Sequence, residues 1–454
     1  MKRSPCVTPF VLVVVPLTGC ASTPRWPVDL EIKSMVREVN VARIEADVRT
    51  LTGFGTRNTM SDTASDTRGI GAARRWIHDQ FQHIAHESCG RLIVELDGYT
   101  QEPDGNRIVK TTEIVNVVAT LPGRQPESAD RVYIVSAHYD SMASDPKDYT
   151  SDAPGADDDA SGVACVLELA RVMSRYEFDA TVVFMAVAGE EQGLLGSKYA
   201  AQKSKDAGVH VAAMLTNDII GNSLSADGVR DRRRVRVFSE GVPLSESPDD
   251  WELRQKIGGE NDSPARQIAR HIDTACDAYV PDFDVVMIAR GDRFLRGGDH
   301  KPYSLMGYPG VRFTEMNEDY RHQHQNVRTE EGVFFGDVPD RLDYPYIANV
   351  TRVNLAALAS LARAPARPRH ALVMTDRLDH HTALQWNANA EPDLAGYEIV
   401  WRETTAAQWQ HAVSAGNVTR CKMTLSKDNF IFGVRAVDEQ GHRSEAAYPW
   451  PSKN

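Results

Sequence analysis

Apolar positions change period several times along this chain, and each change marks an element. From Val36 to Ile84 they recur at helical spacing, in "VREVNVARIEADVRTL" and then "DTRGIGAARRWIHDQFQHI". Four strand-like runs follow: "EIVNVVATLPG", "RVYIVSAHYDS", "ATVVFMAVAGEE" and "VAAMLTNDIIGN". The stretch from Thr181 to Ala188 is almost unbroken in apolar residues, which predicts a central strand covered on both faces. Between strands, "ASGVACVLELARVMSRY" puts Val163, Val166, Leu167, Ala170 and Met173 on one helical face. Strands alternating with helices predict an α/β domain over residues 36–364, three layers deep, with a mostly parallel central sheet flanked by helices. Residues 228–298 are polar and charged. They read as a long excursion with one helix, "SPARQIARHIDTAC", and a later strand, "DVVMIA". "PYIANVTRVNLAALASLARAP" closes the domain as an amphipathic helix.

Beyond the linker "APARPRH", the period becomes that of short strands: "TALQWNA", "AGYEIVWRET", "CKMTL" and "NFIFGVRAVDEQGHRSE". Residues 365–454 are therefore expected to form a small all-β sandwich. The segment resembles a fibronectin type III module, with Trp386 as its core tryptophan. It departs from that pattern at Phe430, where such modules carry a corner tyrosine. It holds no catalytic grouping.

The first residues, "MKRSPCVTPFVLVVVPLTGCAS", combine a basic start with an apolar core too short to span a bilayer, as a signal peptide over residues 1–19 does. "LTGC" resembles a bacterial lipobox, which implies cleavage before Cys20 and lipidation of that cysteine. Ala21 after it resembles lipoproteins sent on to the outer membrane, and residues 20–35 then read as a tether. The expectation is an exported protein, lipid-anchored to the outer membrane and facing the periplasm or cell surface, with plain secretion as the alternative.

At 454 residues the chain has room for two domains, and 42% hydrophobic with 25% charged residues is ordinary for a globular protein. A formal charge of −12 argues against nucleic acid as a partner and offers no polybasic membrane patch. Cys89, Cys165, Cys276 and Cys421 are widely spread and include no CxxC, so they do not propose a thiolate zinc site. A Cys89–Cys276 disulfide fits an oxidising compartment, whereas Cys165 reads as core.

Chemistry gathers where the strands end. "YIVSAHYD" ends in His138 and Asp140, "VVFMAVAGEE" in Glu190 and Glu191, and "VAAMLTND" in Asp218. The stretch "APGADDDASG" sets three aspartates, Asp157 to Asp159, before a helix. Carboxyl ends of parallel strands line one edge of a sheet, where such folds bind ligands. Imidazole with carboxylates and no thiolate suits a catalytic zinc site. A two-oxygen carboxylate from the triplet can bridge two metals. Asp140 is placed to accept the second ring N–H of His138 and fix its tautomer. Of the two adjacent glutamates, one can ligate while the other takes a proton from water. "NEDYRHQHQNVRTEEG" supplies a further histidine, His322 or His324.

Together "AHYDS", "APGADDDASG", "AGEEQGLLGS", "TNDIIGN" and "GGDHKPYSLMGYPGVRFTE" resemble the co-catalytic zinc aminopeptidase family, which includes bacterial leucyl aminopeptidase and has glutaminyl cyclases and glutamate carboxypeptidases as relatives. The resemblance covers roughly Val115 to Ala364. It implies two zinc ions per chain: His138 and Asp218 on one, Glu191 and His324 on the other, Asp157 bridging them, and Glu190 as general base. It also implies a cis peptide after the bridging aspartate, here Asp157–Asp158, and leaves Asp158 and Asp159 as loop and cap residues. "HQNVRT" departs from the family ending, since Arg328 stands where an acid is usual. The implied activity is removal of N-terminal residues from a peptide substrate through a zinc-activated water. Three other readings stand beside it: a glutaminyl cyclase, a carboxypeptidase that would use Arg290, Arg293 and Arg296, and a non-catalytic surface lipoprotein.

Overall fold

A computed structural model describes residues 11–13, 26–376 and 378–452. Cys20, most of the proposed signal peptide and the tether as far as residue 25 lie outside the described residues. The chain divides into two compact units. One comprises residues 28–246 and 263–362. The other takes residues 247–262 together with the C-terminal segment from 363 onward.

The first unit is built on an eight-stranded sheet. Its strands are β1 (Ile93–Gln101), β2 (Thr112–Leu121), β3 (Arg131–His138), β4 (Thr181–Val187), β5 (His210–Asn217), β6 (Arg234–Ser239), β7 (Asp284–Ile288) and β8 (Gly310–Glu315). Their order is β1-β2-β4-β3-β5-β8-β6-β7. The middle four, β4, β3, β5 and β8, run parallel. At one side β2 is antiparallel to β4 and β1 to β2; at the other β6 is antiparallel to β8.

Helices cover both faces: α1 (Leu30–Glu38), α2 (Val41–Gly53), α3 (Gly69–Glu87), α4 (Ser161–Met173), α5 (Leu195–Asp206), α7 (Pro264–Tyr279), α8 (His300–Leu305) and α9 (Tyr344–Arg363), while α6 (Pro248–Lys256) belongs to the other unit. Successive strand side chains point to opposite faces. Tyr133, Val135 and Ala137 of β3 accordingly join the core under α3, α4, α7 and α9, while Ile134 joins the core under α5 and α8. Three layers result. Among the described residues no helix is long and apolar enough to cross a membrane.

Three expectations change. Residues 30–35 are not tether: Asp29 caps α1 by accepting from Glu31 N at 2.7 Å, and Ile32, Met35 and Val36 recur at helical spacing and are buried. Nor are residues 228–298 one excursion. "RVRVFS" alternates, so β6 buries Val235 and Val237 and extends the sheet, as β7 does beside it. The polarity that suggested a loop comes from the arginines on the strand's other positions. The four described cysteines are all free. Cys276 is buried on α7, with its thiol against the Phe283 carbonyl at 3.1 Å, and so does not pair with the exposed Cys89.

In the second unit, β10 (Leu394–Glu403) lies between β11 (His411–Gly416) and β13 (Phe430–Asp438), all antiparallel, and β9 (Thr382–Gln385) pairs with β12 (Arg420–Met423). Residues of both sheets share one apolar core in which Trp386 meets Tyr397 at 5.3 Å. The segment carrying α6 is fastened to this unit by Asp262, whose carboxylate sits 2.6 Å from the buried Arg402 guanidinium, and by Tyr448, which donates to the Ile257 carbonyl at 2.9 Å.

Candidate metal centre

Three parallel strands deliver their first polar residues to the same edge. β3 ends in His138, and β4 runs out into Gly189, Glu190 and Glu191. β5 runs out into Asp218, and the loop beyond β8 brings back His324. The bend ahead of α4 supplies an aspartate between them. Its carboxylate is that of Asp158: Oδ1 lies 3.0 Å from His138 Nε2, and Oδ2 lies 2.9 Å from His324 Nε2. Asp218 Oδ1 is 4.0 Å from His138 Nε2, and Glu191 Oε1 is 3.0 Å from His324 Nε2. Two ligand groups emerge, His138–Asp158–Asp218 and Asp158–Glu191–His324, each with donor atoms within 4.8 Å of one another. Asp158 is common to both. Glu190 lines the same cavity, about 320 Å3 in volume.

This corrects the expected bridge. Asp157 turns away: its Oδ1 accepts from Gly221 N at 2.7 Å, on the side of the buried Glu315. The cis peptide is Asp158–Asp159. Neighbouring residues of the bend point in different directions, so only one of three identical side chains enters the gap. Asp159 holds the bend from beneath, accepting from Gly162 N at 3.0 Å and His138 N at 3.1 Å.

The histidine pair resolves the same way. His322 lies apart from the cluster, with Nδ1 3.0 Å from the Gly336 carbonyl and its ring stacked on Phe334. Arg328 points elsewhere, to Glu330 and over the Phe335 ring. Asp140 lies beside the second ring nitrogen of His138, as expected, and has a further part. His138 Nδ1 lies 3.1 Å from its backbone carbonyl and 3.5 Å from its carboxylate. Donation to that carbonyl leaves Nε2 free to ligate. The Asp140 carboxylate also accepts from the backbone N–H groups of Glu190 and Glu191, at 3.3 and 3.1 Å, and so aims both glutamates.

Charge in this pocket is out of balance. Burial pushes the Glu190 carboxyl well above the usual carboxylate range, with Asp218 and Glu191 adding to the rise against the pull of His138. Burial likewise raises Glu191, and it raises Asp299 to about 7. Burial disfavours a charged His324, yet Glu191 and Asp158 carry it up to about 11. His138 is also held well above its ordinary value, through Asp140 and Asp158 and against its burial. Carboxylates outnumber the cations around them here, a pattern that a dication in each group would complete. A divalent cation in each group would return both rings to neutrality and the acids to their ionised forms. The donor set fits zinc: nitrogen and oxygen ligands, no thiolate, one shared carboxylate.

Several residues of this architecture carried no signal in the chain. Asp337 accepts from the N–H groups of Asp157 and Asp158, each at 2.8 Å, and pins the bend. Arg57 is fully buried and gathers the Tyr139 and Gly155 carbonyls at 2.7 and 2.8 Å. Arg312, on β8, reaches Asp218 Oδ1 at 2.8 Å. They lie far from their partners in sequence, and the only hint was a lone arginine within the apolar β8 run.

Residues 116–330 match peptidase family M28. A probable zinc metalloprotease of Leptosphaeria maculans is 46% identical over 421 residues, covering 93% of this chain and 97% of that one. Another, of Pyricularia oryzae, is 47% identical over 429 residues, covering 93% and 85%. Among solved structures, the LapA aminopeptidase of Legionella pneumophila overlays with a TM-score of 0.51 at 19% identity, covering 75% of this chain and 77% of that one. An aminopeptidase from Aneurinibacillus sp. strain AM-1 gives 0.52 at 15%, covering 73% and 96%. At such identities the likeness is one of fold.

Proposed function

We propose, from the premise that this chain belongs to peptidase family M28 and is a zinc metalloprotease, that it is a two-zinc aminopeptidase. One observation carries the reading: the two oxygens of Asp158 face separate histidines, each with its own further carboxylate. His138 and Asp218 would hold one ion and Glu191 and His324 the other, with Asp158 shared. Bound zinc supplies Lewis acidity, lowering the pKa of water and polarising a carbonyl.

The chain's own residues do the rest. Glu190, aimed by Asp140, takes the proton of the attacking water on its carboxylate and returns it to the leaving amine. Asp140 and Arg312 keep the acids in place before substrate arrives, so little reorganisation accompanies the reaction. A free α-amine can pair with the pocket carboxylates, which favours cleavage at the N-terminus. The small cavity suits one or two residues beside the reacting centre better than a long chain.

The test is mass spectrometry of peptides with free and acetylated N-termini, amidated C-termini and an N-terminal glutamine, with and without chelator. Stepwise, chelator-sensitive loss of residues from free amines alone is expected. Loss of ammonia from the glutamine peptide, or trimming from the C-terminus, would replace the reading with a cyclase or a carboxypeptidase. The proposal extends to location: "LTGC" supports export and a lipid anchor at Cys20. Cys20→Ala should then abolish incorporation of a palmitate probe.

A further inference from the structure

The metal cavity is lined by Arg107, Arg293 and Arg296, whose charge the neighbouring acids cancel only in part. Arg107, in the loop between β1 and β2, donates to the Glu191 carbonyl. Among the described residues it has no carboxylate partner. Arg293 and Arg296 come from the loop after β7. Glu318 is the acid behind them, and its single charge is divided three ways: Arg236 at 2.8 Å, Arg293 at 2.8 Å and Arg296 at 3.6 Å. Asp292 is likewise shared, by Arg293 at 3.3 Å and Arg312 at 3.4 Å. The Arg296 side chain keeps about a third of its surface open to solvent (34%), so its guanidinium remains available.

Among the described residues, Arg107 and Arg296 form no ion pair with the metal ligands. On the two-zinc reading, on which this inference rests, two divalent cations and Arg312 offset the five carboxylates of Asp158, Glu190, Glu191, Asp218 and Asp299. The surplus positive charge of Arg107 and Arg296 is then left facing the cavity. A low-dielectric pocket magnifies such a field, and a guanidinium binds a carboxylate through paired N–H groups. We infer that the substrate carries a carboxylate within one residue of the scissile bond, held by Arg107 and Arg296, so that the preferred substrates are short peptides with a free C-terminus or an acidic residue beside the cleaved bond. Arg293 serves as a positioning residue, fixed by Glu318 and Asp292.

Binding to the zinc-loaded full chain carrying Glu190→Gln, measured by titration calorimetry, separates the cases. Three probes share a backbone: leucylglycine, leucylglycine amide, and leucyl-aspartate with its C-terminus amidated. At least one carboxylate-bearing probe should bind about tenfold or more tighter than leucylglycine amide, as a charge-assisted hydrogen-bonded contact provides. Which one does so identifies a terminal or a side-chain carboxylate. Adding Arg107→Gln and Arg296→Gln together should bring that probe to parity with the amide, while the Arg→Lys pair keeps part of the preference. Equal affinity for all three probes, including none measurable, overturns the inference, as does a preference that survives the double Gln variant. Wild-type turnover of the same three peptides is a separate readout. Failure to shorten any of them removes the aminopeptidase reading and leaves the binding comparison standing on its own.

Discussion

Buried charge occurs in both units of this protein, and the two handle it differently. In the C-terminal unit, Glu398 is closed between two guanidiniums, Arg435 at 2.7 Å and Arg443 at 3.0 Å, and Arg402 faces Asp262 at 2.6 Å. Each of these carboxylates has a cation of the chain's own. At the edge of the large sheet, Asp158, Glu190, Glu191, Asp218 and Asp299 converge on two histidines and Arg312. Ion pairs that serve structure come balanced, because an unpaired buried charge is costly. A pocket that stays unbalanced holds a place for charge from outside. The difference separates a site from a staple without reference to what either resembles.

The largest expected effect comes from removing the shared ligand. Asp158→Ala should drop bound zinc below two ions per chain by elemental analysis and take peptidase activity to background. Asp157→Asn should retain both ions, because that carboxylate faces Gly221 rather than the gap. Equal zinc loss in the two variants would erase the distinction between them.

Next in size is Glu190→Gln, expected to keep both ions while kcat falls by about 10²–10⁴-fold, the usual range for loss of a general base. Metal loss instead would exchange the roles of Glu190 and Glu191.

The balanced unit should respond in stability alone. Asp262→Ala strands Arg402, whose side chain is 1% exposed, and should cost about 3–5 kcal/mol in denaturant unfolding of that unit. kcat/KM of the large unit should not move.

The smallest effect is a pH dependence away from both groupings. Burial, reinforced by Glu168, lifts Asp47 from 3.8 to about 7. The folded chain therefore keeps a proton that the unfolded chain has released, and stability falls as pH rises between those values. Asp47→Asn should remove that fall. Its stability gain over wild type in urea melts should be larger at pH 8 than at pH 5.

The legible part of this molecule was what local pattern specifies. The unbroken run before Gly189 could only be a central strand, so its terminal acids had to arrive at the sheet edge. The same logic gave His138 and Asp218. The aspartate triplet was not legible to the residue: Asp157, Asp158 and Asp159 are chemically identical, and their directions are set by Asp337 and Gly221, distant in sequence. β6 was hidden because alternating arginines make a one-sided strand look like a polar loop. The affinity of residues 247–262 for the C-terminal unit was hidden too, since Asp262 reads as a surface acid until Arg402 is placed opposite.

Diffraction data collected across the zinc absorption edge from crystals of the zinc-loaded chain test the central claim most directly. Two anomalous peaks are predicted, one beside His138 and Asp218 and one beside Glu191 and His324, with the Asp158 carboxylate between them. A single peak, or a second ion held by Asp157, would contradict the account.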